Sequence, residues 1–250
     1  MKFRLAAAGA AILVVTAALA LPDPLAADYS SVLESPSLAH PLGTDQLGRD
    51  VAARLFSGAR VTLGLTVATL LVTGVAGTVV GAAAAVLGAR SVVRAADLVA
   101  ALPTILVGLL AAAISGPGLP SILAAVCAVG WTPFARQAYH LTLREAKQEY
   151  VVAARSLGAG TARILARHIA PNIAEPLLAH LLLRFAGTLL TVSGLSFLGL
   201  GVQPPTPEWG AMVAEGRNHL FTSPHLVLAP AAAVVITATC ATVLGRRLTR

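Results

Sequence analysis

The sequence predicts an all-α, polytopic membrane protein of about six transmembrane helices, and three observations carry that prediction. Hydrophobic residues make up 56% of the 250 and charged residues only 12%, with a mean hydropathy of +0.79; soluble domains are charged at about a quarter of positions. The charges are segregated: apolar stretches at residues 5–21, 61–88, 98–115, 119–139, 177–200 and 226–244 contain only Arg136 and Arg184 among charged side chains. Each is long enough to cross hydrocarbon about 30 Å thick at about 1.5 Å per helical residue, 5–21 and 98–115 only just. An ordinary soluble fold is excluded, because six apolar helices in so short a chain leave too little polar surface to cover them.

Residues 5–21 follow Lys2 and Arg4 and end in Ala18-Leu19-Ala20 before Pro22, a pattern shared by retained helices and cleaved secretory signals. A retained helix is expected, since an even number of spans puts the basic run Gly245-Arg-Arg-Leu-Thr-Arg250 inside; cleavage would leave five spans. In the segment 42–59, Leu47, Val51 and Leu55 recur at four-residue spacing beside Asp45, Arg49, Asp50 and Arg54. That pattern predicts an amphipathic helix at the outer membrane surface. Residues 1–60 are therefore read as a first span with an outer interfacial segment, and 61–250 as a five-span core.

Within 61–88, Gly74, Gly77 and Gly81, followed by Ala82 to Ala85, form a small-residue face suited to close helix contact. The stretches 98–115 and 119–139 supply the next two spans, and Arg136 lies close enough to the inner end of its span to snorkel. Cys127 and Cys240 both fall in apolar stretches and are read as small core residues, neither a disulfide framework nor a metal knuckle.

The long segment 141–176 exceeds what a membrane hairpin needs and is rich in helix formers. Its run from Glu149 reads as a helix with Val151, Ala154 and Leu157 at three-residue spacing, ended by Gly158, the residue that tolerates positive φ. A second helix over 161–170 is expected to stop at Pro171. Such a hairpin, bearing Arg155, Arg163 and Arg167, suits either an anionic lipid surface or a groove in another protein. In the next span Arg184 lies seven residues from Leu177, about 10 Å along a helix. A charge there either snorkels or faces a cavity or a partner helix. The run Gln203-Pro-Pro-Thr-Pro207 predicts a stiff extended linker, and 226–244 completes the spans.

Thirteen basic residues fall on the segments read as inner, against Arg49, Arg54, Arg60 and Arg217 on the outer ones. This asymmetry places both termini in the cytoplasm. A net charge of +7 with only 4% aromatic residues argues for membrane orientation and against nucleic acid. The six histidines, His40, His140, His168, His180, His219 and His225, have no metal-ligand spacing, and no cofactor is expected. Neither Lys2 nor Lys147 follows a glycine, so no phosphate loop exists. The spans hold no Asp or Glu for a proton relay, which disfavours a gradient-driven transporter. A rival reading, an intramembrane serine protease, needs only Ser196 as nucleophile and His225 as base.

The run Glu149-Tyr-Val-Val-Ala-Ala-Arg-Ser-Leu-Gly-Ala159, followed by Arg167-His-Ile-Ala-Pro-Asn172, resembles the Glu-Ala-Ala loop of the inner-membrane permease subunits of binding-protein-dependent ABC importers, the dipeptide, oligopeptide and nickel class. His40-Pro-Leu-Gly-Thr-Asp-Gln-Leu-Gly-Arg-Asp50 with Arg54 and Gly58-Ala-Arg60, then Trp131-Thr-Pro-Phe-Ala-Arg136, and Leu195-Ser-Phe-Leu-Gly-Leu-Gly-Val-Gln-Pro-Pro-Thr-Pro-Glu-Trp-Gly210 are similar to other segments of that family. The resemblance implies the ABC importer type I permease fold in a bacterial inner membrane. It implies a coupling helix using Glu149, Tyr150, Val151, Ala153, Ala154, Arg155, Leu157, Gly158, Ile164 and Pro171. It also implies a second homologous permease subunit, two ABC ATPase subunits and an extracytoplasmic substrate-binding protein as partners within the lipid bilayer. The expected cargo is a di- or oligopeptide or a nickel or metal chelate, passing Arg184, Ser193 and Ser196. The chain has Val152 and Val192 where the family usually has acids.

Overall fold

The computed structural model describes residues 22–248; the first apolar stretch, 5–21, lies outside the described residues. The described residues are helical apart from loops and one isolated antiparallel bridge, Thr44 to Asp50. The helices are α1 Val51–Val86, α2 Arg90–Ala100, α3 Thr104–Ser115, α4 Leu119–Gly130, α5 Thr132–Glu145, α6 Glu149–Ser156, α7 Thr161–Ile164, α8 Ala170–Phe197, α9 Trp209–Gly216 and α10 His225–Leu248. They form two compact units. The first comprises residues up to Gly64 with Ser193–Val235, and the second Leu65–Val192 with residues from Ile236 onward.

Four helical stretches are long and apolar enough to cross a membrane: Val51–Val86, Leu119–Glu145, Thr161–Phe197 and His225–Arg247. The expected span 98–115 is different. It is split into α2 and α3, which meet at a bend of 82° and make a fifth crossing only if counted together. Pro103 at the break lacks an N–H and disfavours helical backbone in the residue before it. α3 alone, at 12 residues, reaches about 18 Å and cannot traverse the hydrocarbon.

Two further expectations are corrected. The helix beginning at Thr161 does not stop at Pro171, because residues Leu165–Ile169 form a π-helical turn that leads directly into α8. In an α-helix the Pro171 ring would collide with the carbonyl four residues back. Here Ala170 N–H donates instead to Leu165 O, five residues back, and the wider turn makes room for the ring. Nor is 42–59 a surface helix. Asp50 caps α1, its Oδ1 accepting from Ala53 N–H at 2.7 Å, so the helix begins at Val51 and leaves Leu47 in a loop. Asp45, Arg49, Asp50 and Arg54 are buried. The proline run at 203–207 is likewise a turn rather than an extended linker, with Pro204-Pro205 cis.

In the second unit, the glycine face of α1 does what its spacing predicts. A Cβ on Gly77 would lie 2.7 Å from Phe134 Cβ, and one on Gly81 would lie 2.8 Å from Ala135 Cα and collide with the Ala135 carbonyl. α1 and the start of α5 thus touch backbone to backbone. Below this contact Ala84 and Ala85 pack on Tyr139. In the purified chain, Gly81→Ala is expected to lower thermal stability by about 1–3 kcal/mol through overpacking. Gly64→Ala, where a Cβ meets open space, is expected to be neutral or slightly stabilising. Thermal melts in detergent distinguish the two.

Candidate functional site

The hairpin built from α6, the turn at 157–160 and α7 is held by one small core in the second unit. Val151 is fully buried, 0% exposed, against Ile164, Ile169 and Ile173, with Leu141, Ala146, Ala159, Leu165 and Leu177 packed around them. Gly158 turns the chain at φ +83°, a backbone geometry that a side chain would strain. The expected apolar face over Val151, Ala154 and Leu157 is split, since Leu157 is 88% exposed and Ala154 is half-buried. Six residues turn an α-helix through about 600°, leaving Leu157 about 120° away from Val151. The outward surface therefore carries Val152, Leu157 and Tyr150, which are exposed, beside the exposed Glu149, Ala153 and Arg155. Pro171 is also exposed.

Tyr150 ties the hairpin to its neighbours. Its hydroxyl donates to the Glu145 carboxylate at the end of α5, and accepts from Asn172 Nδ2 at 2.7 Å. Asn172 Nδ2 also donates to the His168 carbonyl at 2.7 Å. Desolvation, then the Glu145 carboxylate, pushes the phenol above its ordinary value. Glu145 and Asn172 were missed by sequence reasoning, although Asn172 closes the Arg167–Asn172 run.

Farther along α8, Arg184 lines a cavity of about 440 Å³ in the second unit, with Thr73, Thr104, Thr132, Thr188 and Thr191 on its wall. Arg184 is exposed and makes no ion pair among the described residues. Ser193 and Ser196 are placed differently, in the first unit. Both are buried, Ser193 with its backbone against Gly210 and Ser196 against Gly201, where a Cβ on either glycine would clash. Neither Ser196 Oγ nor His225 Nε2 has a hydrogen-bond partner, so the two do not form a nucleophile and base pair.

The first unit also contains an ionic cluster that sequence reasoning had read as a surface stripe. Arg49 Nε meets Asp45 Oδ2 at 2.7 Å, Arg54 Nη1 meets the same oxygen, and Arg54 Nη2 reaches Glu215 Oε2 on α9 at 2.8 Å. His40 Nδ1 and Asp50 Oδ2 are 2.9 Å apart. One end of α9 is capped by the fully buried Glu208, which accepts from Thr62 Oγ1 at 2.8 Å and from Ala211 N–H at 2.9 Å. Desolvation opposes ionisation of Asp45, but the N–H groups of Leu47 and Arg49 and the guanidiniums of Arg54 and Arg49 outweigh it and hold the carboxyl below its ordinary 3.8. Nothing in the sequence paired Glu215 or Glu208 with partners so distant along the chain. Among the described residues no group of three His, Cys, Asp or Glu side chains is arranged to hold a metal ion.

Residues 75–250 match the family described as binding-protein-dependent transport system inner membrane component. The chain is 37% identical over 221 residues to the glutathione transport system permease protein GsiD of Pectobacterium atrosepticum, covering 87% of this chain and 73% of that protein. The proteins of the same name from Escherichia coli O157:H7 and Shigella sonnei show the same identity and coverage.

Asp45→Asn is expected to lower thermal stability at pH 7 by about 3 kcal/mol, because two buried guanidiniums lose their shared anion. A carboxyl depressed in the folded state stabilises fully above its unfolded value and stops doing so as pH falls through the folded one. The gap between wild type and Asp45→Asn in detergent melts should therefore hold from pH 7 to 5 and begin to close below about 3.8.

Proposed function

The chain belongs to the family of binding-protein-dependent transport system inner membrane components, and from that premise we propose that it forms one half of an ATP-driven import path for small peptide-like solutes. Members are multi-pass permease subunits of ABC importers, and ATP hydrolysis resides on separate subunits. The proposed assembly pairs this chain with a second related permease, two ATPases beneath them and a substrate-binding protein outside, with both termini in the cytoplasm. The excess of basic residues on the inner segments supports that orientation.

The observation that carries the reading is the continuity of the hairpin with a span. α7, the π-helical turn and α8 run without a break from Thr161, and Val151 locks α6 onto that run. An ATPase cleft that grips the exposed tip around Arg155 and Leu157 therefore pulls on a helix wall carrying Arg184. In this role Ala153, Ala154 and Gly158 shape the tip, while Tyr150, Val151 and Ile164 fix its root, with Glu149 and Pro171 beside them. Val152 offers the cleft an exposed apolar side chain where relatives of this class usually offer an acid, so the contact rests more on burial of Val152 and Leu157 than on charge.

For the cargo, the curated relatives are named for glutathione, a peptide-like molecule, and the Arg184 cavity supplies the positive charge a peptide carboxylate requires. Metal chelates lack such support among the described residues. Ser193 and Ser196, if they border the path, do so as small residues that permit close packing rather than as ligands.

Gly158→Pro, which cannot adopt φ +83°, and Arg155→Glu are each expected to cut uptake by the complete importer at least tenfold while the chain stays in the membrane. Uptake in vesicles, with immunoblots for membrane content, reads both. Normal import by both variants contradicts the coupling assignment.

A further inference from the structure

The cavity beside Arg184 has a chemistry that no relative's name describes. The guanidinium sits nine residues beyond Glu175, the nearest acid on its helix, or about 13 Å of helical rise, which is farther than an arginine side chain extends. A charge at that depth is costly unless something answers it, yet no described carboxylate pairs with it.

The threonines around it are not a ring of donors. Thr73 Oγ1 donates to Thr69 O at 2.8 Å, Thr132 Oγ1 to Val129 O at 2.9 Å, Thr188 Oγ1 to Arg184 O at 3.1 Å and Thr191 Oγ1 to Gly187 O at 2.9 Å. Each hydroxyl has committed its proton to its own backbone, leaving lone pairs that accept. Thr104 is the first residue of α3, where the helix dipole is positive. The wall thus combines one fixed cation with several acceptors. Its volume, about 440 Å³, falls within the roughly 300–1,000 Å³ of small-molecule sites.

Resting on the import reading above, we propose that this cavity is a selective station on the path: Arg184 holds a carboxylate of the cargo while the threonine oxygens accept from its amide or ammonium N–H groups. A bare divalent cation is repelled by the guanidinium, and a fully esterified peptide loses the partner Arg184 needs.

The test uses the whole importer, with its partner permease, ATPases and binding protein, in proteoliposomes. The probes are S-methylglutathione, which has no thiol, and its dimethyl ester. With Cys127 and Cys240 replaced by serine, Gly187→Cys, at a wall position where an added side chain meets open space, is labelled with a maleimide. Millimolar S-methylglutathione is expected to slow labelling at least fivefold and the diester less than twofold. Uptake of S-methylglutathione should fall at least tenfold in Arg184→Gln and within about threefold in Arg184→Lys, with ATPase co-purification unchanged. Equal protection by acid and ester, or undiminished uptake by Arg184→Gln, overturns the station while leaving the importer reading intact. A complex that hydrolyses ATP in response to its binding protein yet neither imports nor is protected by S-methylglutathione overturns the cargo class. Failure of any ATPase to co-purify with the wild-type chain instead overturns the importer assembly itself.

Discussion

Val151 packed against Ile164, Ile169 and Ile173 is the contact on which the proposed mechanism depends. A helix of eight residues such as α6 is too short to be stable on its own, and its tip is exposed. Burying one valine contributes about 1.5–3 kcal/mol, enough to choose one orientation of so small an element. Tyr150 adds a second attachment through Glu145 and Asn172, so the hairpin is joined to α5 and to the root of α8 rather than hanging from flexible strands. Force applied to Leu157 then has a stiff route into α8.

In the first unit a different physical problem is solved. Four charged side chains between Asp45 and Arg54 are removed from solvent, which is expensive unless each finds a partner. Asp45 accepts from two backbone N–H groups and faces two guanidiniums, and Glu215 takes up the remaining charge of Arg54. Such a cluster is a poor source of net stability but a strict one of register, since sliding the loop 42–50 by one residue would strand several charges. It fixes the loop against α1 and α9, just as Thr62 and Leu55 fix Glu208 and Trp209.

Much of this was readable from sequence because the bilayer imposes a strong one-dimensional signal. Charge-free length located the helices of 61–88, 119–139, 177–200 and 226–244, and glycine spacing located the face of α1 that packs closely, though not its partner α5. The start of α6 and the turn at Gly158 were equally visible, since both rest on local backbone preferences. What escaped depended on three-dimensional partners. Pro171 reads as a stop signal unless a π-helical turn absorbs its ring. Three-residue spacing places Leu157 with Val151 on paper, although the helix has rotated it away. The charges at 45–54 imitate a surface stripe because the acid that completes their pairing lies more than 150 residues later, on α9. The break at Pro103 was hidden by apolar composition on both sides.

In the proposed mechanism α6, α7 and α8 up to Val192 move as one body when ATP is bound. The direct measurement is the distance between spin labels at Ser156→Cys and Thr188→Cys, in a chain whose native cysteines are serine, within the assembled importer. One unchanged distance in the nucleotide-free and vanadate-trapped states, together with a change between either label and a label on α4, is the predicted result. A shift of several ångströms between positions 156 and 188 on trapping would contradict it, showing that the hairpin flexes instead of driving the helix.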